Sequence, residues 1–153
     1  MKFIVDRLPL LRKLLGNLND NGQGLSKTEI GCLGERIAVR HLKKDGMKIL
    51  YRNFRAPHGG EIDIIARDKQ VLAFIEVKTR TNEKFGRPVE AVNMDKRFLI
   101  TRGACEWLRM IDEDQNKINY RFDVVEVILV RGKKARINLI KGAFETPDNY
   151  LMG

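Results

Sequence analysis

The segment GGEIDIIARDKQVLAFIEVKTR, residues 59–80, decides the fold of this 153-residue chain. Two runs rich in β-branched and apolar residues, 61–67 and 71–78, predict two strands, and Asp68-Lys69 between them predicts a tight turn. The second run is apolar on both faces, which is typical of an interior strand. The segment therefore predicts an antiparallel hairpin inside a sheet.

The faces of this hairpin follow from the alternation of side chains along a strand. Glu61, Asp63 and Ile65 are predicted to share one face of the first strand, and Ile62 and Ile64 the other. On the second strand, Phe74, Glu76 and Lys78 are predicted to share a face. The charged residues of the hairpin thus gather on one side of the sheet.

The predicted turn also sets which residues of the two strands are neighbours. It pairs Arg67 with Gln70 and therefore Asp63 with Phe74, so that Glu76 lies diagonally across from Asp63. Diagonal neighbours on one face are within reach of a single ion.

Two carboxylates this close repel each other, and burying them unpaired costs several kcal/mol each. A divalent cation relieves the repulsion, and Mg²⁺ prefers oxygen ligands. Lys78 could orient a water molecule or neutralise a phosphate oxygen, and Glu35 of the first helix could contribute a further acid through water. The alternative is an amphipathic hairpin whose polar face merely meets solvent. That alternative suits Glu61 better than Glu76, which stands in an apolar run.

The flanking sequence predicts an α/β domain. A capping box begins a helix at Ser26, and Gly46 ends it. Gly31 and Gly34 each cost about 1 kcal/mol inside a helix, which indicates close approach of another backbone or a ligand. The remaining elements are strands at 48–54, 119–130 and 136–141 and a helix at 94–111 capped by Asn93. A meander followed by a crossover helix predicts a mixed central sheet.

The ends of the chain and its composition suggest where it works. Residues 1–28 read as an N-terminal extension and linker, and residues 29–153 as the main domain. No apolar run approaches the ~20 residues of a transmembrane helix, and charged residues interrupt the candidate signal segment. Cys32 and Cys105 lack metal-binding spacing and are expected to be buried free thiols. The cytoplasm is therefore the expected location, and both a monomer and a homodimer remain open.

The formal net charge of +9 by itself suits either an anionic partner or a basic protein that uses its charge for solubility. Charge and the chemistry of the hairpin together favour nucleic acid as the partner, DNA over RNA. The arginines that flank the strands could hold phosphates, or they could be ordinary surface charge; they are Arg52, Arg55, Arg80 and Arg87. Lys96 begins the second long helix and could point toward the carboxylates. Asp123 is expected to form a structural ion pair with Arg121, and Trp107 is expected to pack in the core.

Asp63 followed after twelve residues by Glu76-Val77-Lys78 resembles the PD-(D/E)xK signature of the restriction-endonuclease-like superfamily. A longer set of segments resembles the YraN-like family, a set of bacterial proteins regarded as predicted endonucleases distantly related to archaeal Holliday-junction resolvases. The matching segments are GCLGERIA at 31–38, NFR at 53–55, GGEIDIIA at 59–66, FIEVKTR at 74–80, FGRPVEAV at 85–92 and RFDVV at 121–125.

This resemblance implies a restriction-endonuclease-like αβββαβ core. It further implies Asp63 and Glu76 as ligands of Mg²⁺ or Mn²⁺, Lys78 as the catalytic lysine and Glu35 as an accessory acid. Ile62 stands where a proline commonly precedes the aspartate, a departure that leaves the ligand itself in place. Two functions follow: a metal-dependent nuclease acting on branched or damaged DNA, or a non-catalytic nucleic-acid-binding adaptor of the same fold.

Overall fold

A computed structural model of the chain describes residues 25–83, 92–111, 117–130 and 132–147. The predicted extension at 1–28 lies outside these residues up to position 24. Within the described residues, two helices and five strands follow in the predicted order αβββαββ, which confirms the α/β class with a restriction-endonuclease-like core; the fifth strand lies beyond the αβββαβ core that the resemblance implies. The elements are α1 (Lys27–Lys44), β1 (Lys48–Arg55), β2 (Glu61–Asp68), β3 (Val71–Arg80), α2 (Met94–Met110), β4 (Tyr120–Ile128) and β5 (Arg136–Phe144).

The five strands form one mixed sheet in the order β1-β2-β3-β4-β5. Neighbours are antiparallel except β3 and β4, which are parallel and are joined through α2. The mixed sheet expected from the sequence is therefore confirmed. β3 lies at the centre of the sheet, and β1 and β5 form its edges.

Helix α1 covers one face of this sheet. Ser26 Oγ accepts a hydrogen bond from Glu29 N, and the Glu29 carboxylate accepts one from Ser26 N, so the predicted capping box is confirmed. An apolar stripe of α1 packs against alternate residues of the strands and forms the first core cluster. Its central members are Leu33, Ile37, Ala38, Leu42, Ile64, Ala66, Ala73, Ile75, Val125 and Val127.

Helix α2 covers the opposite face. It begins at the Asn93 cap, whose side-chain oxygen accepts a hydrogen bond from Lys96 N. The second core cluster includes Ile62, Ile65, Leu72, Phe74, Ile100, Ala104, Leu108, Phe122 and Val124. Trp107 packs against Phe54 and Tyr51 with ring centroids 5.3 Å apart, which confirms its place in the apolar packing. None of the described helices is long and apolar enough to cross a membrane.

The register of the β2–β3 hairpin differs from the prediction by two residues. The turn residues are Lys69 and Gln70, and Asp68 pairs with Val71 instead of turning the chain. Asp68 is held in the strand because its Oδ2 binds Arg121 at 2.7 Å and Lys141 at 2.8 Å. A shift by two residues preserves the face of each side chain, so the charged residues stay together.

The ion pair between Arg121 and Asp123 is confirmed, with Nε and Oδ1 2.8 Å apart. The expectation that both thiols are buried is wrong for Cys32, which is exposed; Cys105 is partly buried. Cys32 lies on the outer side of α1, where the helix presents polar residues to solvent.

Gly34 and Gly31 lie one turn apart on α1 but have different surroundings. A Cβ atom on Gly34 would lie 1.8 Å from Thr79 Oγ1 and 2.9 Å from Thr79 Cβ. A Cβ atom on Gly31 would meet no atom of the described residues within 4 Å. A group does approach Gly34 closely, but it is the side chain of Thr79 and not the backbone or ligand that the small residues predicted; Gly31 borders open space.

We expect Gly34→Ala to lower the free energy of unfolding by about 1–3 kcal/mol, because the partly buried Thr79 side chain must shift to make room for the new methyl group. Gly31→Ala is the matched control and should raise it by up to about 1 kcal/mol, since alanine is the better helix former. Urea denaturation of both variants measures the two changes. A Gly34→Ala protein as stable as the unmutated one would contradict the packing described.

Candidate metal centre

Asp63 and Glu76 come together where the ladder between β2 and β3 ends. The last regular pair is Ile64 with Ile75, and Asp63 and Glu76 are the next residues along the two strands. Asp63 Oδ2 accepts a hydrogen bond from Val77 N at 2.7 Å. The side chain thus takes the acceptor role that a backbone carbonyl of β2 has in a regular ladder. The two predicted metal ligands are therefore directly opposed neighbours, not the diagonal neighbours that the predicted turn gave.

Strand β2 is irregular at Asp63. Ile62 and Ile65 lie three residues apart, yet both pack in the cluster beneath α2. The prediction that places Ile62 on the face opposite to Ile65 is therefore wrong. On the neighbouring strand β1, Asn53 adopts a left-handed conformation with a φ of 53°. This local distortion turns the Asp63 carboxylate toward β3 and its backbone N–H group.

Glu76 is only 2 % exposed, although it carries a carboxylate. Its Oε1 lies 3.1 Å from Lys78 Nζ, and its Oε2 lies 3.4 Å from Lys96 Nζ. Oε2 receives no hydrogen bond from any group in the described ranges. Burial, and then the negative charge of Asp63, raise the pKa of Glu76 to about 7, and the two lysines oppose this rise.

Glu35 faces the same region from α1. Burial and the charge of Asp63 raise the pKa of Glu35, while a hydrogen bond with Asn53 and the charge of Arg52 lower it. Glu35 lines a cleft of about 450 Å³ between α1 and the end of β3. The other lining residues are Lys27, Ile30, Gly31, Asp63, Glu76, Val77, Thr79 and Thr81. The structure thus brings all four predicted site residues together, because Asp63, Glu76 and Glu35 line the cleft and Lys78 contacts Glu76.

Lys96 reaches the site from the first turn of α2. Its Nζ contacts Glu61 Oε1 as well as Glu76, so the position expected for this lysine is confirmed. The hydrogen bond from Lys96 lowers the pKa of Glu61. Glu76 therefore has acids on the side of the cleft and two lysines on the side of α2.

The predicted phosphate-binding arginines are dispersed. Arg52 and Arg55 are exposed on the edge strand β1, and Arg87 lies outside the described residues. Arg80 Nε donates a hydrogen bond to Glu126 Oε1 at 2.8 Å, and Glu126 is 1 % exposed. Phosphate binding by these arginines stays a prediction. Glu126 was not singled out from the sequence, although a glutamate within an apolar interior strand is a signal that could have found it.

The residues present suit a hard divalent cation. Asp63 and Glu76 offer oxygen atoms, and the buried Glu76 Oε2 lacks a hydrogen-bond donor among the described residues. No three His, Cys, Asp or Glu side chains in the described ranges converge closely enough to hold a metal together. Mg²⁺ commonly takes one or two protein carboxylates and completes its coordination with water and phosphate oxygens. Two carboxylates at the rim of a cleft fit that requirement.

Comparison with known proteins matches residues 34–127 to the model of "Uncharacterised protein family UPF0102". A UPF0102 protein of Caldicellulosiruptor saccharolyticus is 47% identical over 121 residues, which cover 78% of this chain and 100% of the relative. A UPF0102 protein of Nocardia farcinica is 45% identical, over 77% of this chain and 91% of its own. One of Desulfosudis oleivorans is 44% identical, over 78% and 92%. These findings confirm the resemblance to the YraN-like family.

The raised pKa of Glu76 predicts how stability depends on pH. In the metal-free protein, the folded state holds a proton on Glu76 up to pH near 7, whereas the unfolded chain releases it near 4.5. Stability is therefore lost as the pH rises between these values. We expect Glu76→Gln to be about 1–3 kcal/mol more stable than the unmutated protein at pH 8, with no difference below pH of about 4.5.

Chemical denaturation in EDTA across this pH range measures the effect. Glu61→Gln is the control, because the pKa of Glu61 is lowered by the same Lys96. That variant should be the less stable protein at neutral pH, and the difference should shrink as the pH falls. Parallel pH profiles for Glu76→Gln and the unmutated protein would contradict the burial of an ionised carboxylate.

Proposed function

This chain belongs to the uncharacterised protein family UPF0102, and we propose that it is a Mg²⁺- or Mn²⁺-dependent nuclease that hydrolyses phosphodiester bonds in DNA. One observation carries the proposal: Glu76 is buried beside Asp63 with an oxygen atom that no described donor satisfies. A protein that only folds has no need to bury a carboxylate next to another one, because this costs free energy. A cation bound between them recovers that free energy.

The side chains of the site divide the work of hydrolysis. Asp63 and Glu76 would hold the cation, which supplies Lewis-acid stabilisation of phosphate charge and a more acidic water. The ammonium group of Lys78, 3.1 Å from Glu76 Oε1, is placed to stabilise negative charge that develops on the phosphate oxygens. Glu35 lines the same cleft and is placed to exchange a proton with water there.

The charge of the chain supports a nucleic-acid substrate. A net charge of +9 attracts polyanions, and Lys27 lines the cleft beside the carboxylates. Substrates of three kinds fit a cleft open to solvent: duplex, single-stranded and branched or damaged DNA. A cleavage screen over duplex, nicked, flapped, four-way and single-stranded DNA, with Mg²⁺ and with Mn²⁺, tests the proposal. Absence of cleavage on every substrate with both metals would overturn it.

A second candidate is a non-catalytic nucleic-acid-binding module. It is favoured by the two lysines at Glu76, since Lys78 and Lys96 can neutralise this carboxylate without any cation. Such a module would bind nucleic acid equally well in EDTA and would gain no stability from Mn²⁺. The nuclease is the better proposal, because clustered carboxylates repel phosphate and serve no purpose in a surface that only binds it.

The first prediction from this proposal concerns the cation. Asp63→Asn removes one of the two anionic ligands, so binding of Mn²⁺ measured by calorimetry should become undetectable. Asp45→Asn is the control, because Asp45 is an exposed carboxylate at the end of α1 and should leave the binding unchanged. Equal Mn²⁺ affinities of the Asp63→Asn and unmutated proteins would remove Asp63 from the centre.

The second prediction concerns Lys78. Lys78→Met keeps most of the packing of the aliphatic stem and deletes only the charge. Loss of one preorganised electrostatic contact to the transition state typically lowers a rate about 10²–10³-fold, so cleavage should fall at least ~100-fold. Affinity for DNA should change little, because one phosphate contact among several is lost. Undiminished single-turnover cleavage by this variant would exclude Lys78 from the chemistry.

A further inference from the structure

A second polar region lies on the same face of the sheet as Glu76. Side chains alternate along β3, so Glu76, Lys78 and Arg80 share the face that α2 covers only in part. Arg80 pairs with Ile128 of β4, and Ile128 pairs with Arg136 of β5. A row of charged side chains therefore runs along β3 to Arg80, which lies level with Arg136 of the edge strand, with the buried Ile128 between them.

Arg80 is fixed in this row by a buried acid. Glu126 Oε1 accepts the hydrogen bond from Arg80 Nε at 2.8 Å, and Glu126 Oε2 accepts one from Asn138 Nδ2 at 3.1 Å. Glu126 is 1 % exposed, whereas the Arg80 side chain is 27% exposed. Both carboxylate oxygens are thus satisfied, and the partly exposed guanidinium is held between the carboxylates of the metal centre and the edge of the sheet.

A basic pocket lies at that edge, where the turn between β4 and β5 meets the residues that follow β3. Its volume is about 250 Å³, and it is lined by Glu83, Ile128, Val130, Lys133, Lys134 and Arg136. Glu83 Oε1 lies 3.0 Å from Lys133 Nζ and 3.3 Å from Arg136 Nη2. One carboxylate therefore draws two cations together, and the described lining keeps an excess of two positive charges.

We propose that this pocket binds the phosphate backbone of the nucleic-acid strand that enters the metal centre, a role that rests on the proposed function. At ~3.3 Å per residue along a strand and ~4.8 Å between strands, the backbone of Arg136 lies ~16 Å from that of Glu76. One strand of duplex DNA advances ~3.4 Å per phosphate along the helix axis, so a strand of a few nucleotides spans this distance. The partly exposed Arg80 lies along the way and marks the path of the strand between the two sites.

The test compares two triple variants that remove the same charge. The pocket variant removes the three cations of the described lining and carries Lys133→Gln, Lys134→Gln and Arg136→Gln. The α1 variant removes three exposed cations from the helix and carries Arg40→Gln, Lys43→Gln and Lys44→Gln. Affinity for a fluorescein-labelled DNA duplex is measured by anisotropy in EDTA over a range of salt concentrations. The pocket variant should bind at least ~10-fold more weakly at low salt, and its slope of log K against log salt should fall by about two. The α1 variant should change the affinity less than about twofold.

Glu83→Gln changes the net charge of the pocket in the opposite direction. It removes the only acid of the described lining, so it should tighten DNA binding about threefold without touching a cation. Equal losses of DNA affinity in the two triple variants would show that only net charge matters and would overturn the proposal. A Glu83→Gln protein that binds DNA no more tightly than the unmutated protein would also overturn it.

Cleavage by the unmutated protein separates this proposal from the proposed function. If the unmutated protein cleaves DNA and the pocket variant binds as tightly as it does, the pocket proposal alone falls. If the pocket variant loses affinity while the unmutated protein cleaves nothing, the pocket stands as part of a binding module and the nuclease falls.

Discussion

A carboxylate that is buried within an interior strand must be compensated by hydrogen bonds, opposite charge or a bound cation. Glu76 is in this position, and much of the structure around it follows from this constraint. Lys78 approaches one of its oxygens from the same strand, and Lys96 approaches the other from α2. Neither lysine gives Oε2 a hydrogen bond, so the compensation is incomplete and Glu76 keeps an elevated pKa.

The topology of the sheet is what brings these groups together. β3 lies in the middle, with β2 antiparallel on one side and β4 parallel on the other. The parallel connection requires a crossover, and this crossover carries α2 and its first-turn lysine to the part of β3 where Glu76 lies. Helix α1 packs on the opposite face and places Glu35 there. Acids and bases thus reach one carboxylate from opposite faces of the sheet.

The sequence was sufficient for the features that depend on local patterns. The capping box at Ser26, the Asn93 cap and the interior strand VLAFIEVK all follow from residues that act within a few positions of one another. The grouping of Asp63, Glu76 and Lys78 also follows, because a two-residue error in register preserves the face of each side chain. The sequence alone could therefore group these three residues as a candidate site.

The sequence was insufficient where partners distant along the chain decide. The turn falls at Lys69 and Gln70 because Asp68 binds Arg121 and Lys141, which are more than fifty residues away. The pairing of Arg80 with Glu126 also could not be predicted, because the sequence around an arginine at a strand end is the same whether its side chain faces solvent or a buried acid. The position of Ile62 depends on the distortion of β2, which the alternation of side chains along a strand cannot predict.

The ion pairs of Asp68 have a consequence for how the protein assembles. Arg121 belongs to β4 and Lys141 to β5, so the contacts that keep Asp68 out of the turn exist only after the last two strands have docked. Before that, the hairpin is free to adopt the register in which Asp63 lies opposite Phe74. Until β4 and β5 are in place, the hairpin therefore lacks the two ion pairs that favour the observed register. These contacts join residues more than fifty positions apart, so the placement of Asp63 beside Glu76 depends on the whole sheet and not on the hairpin segment alone.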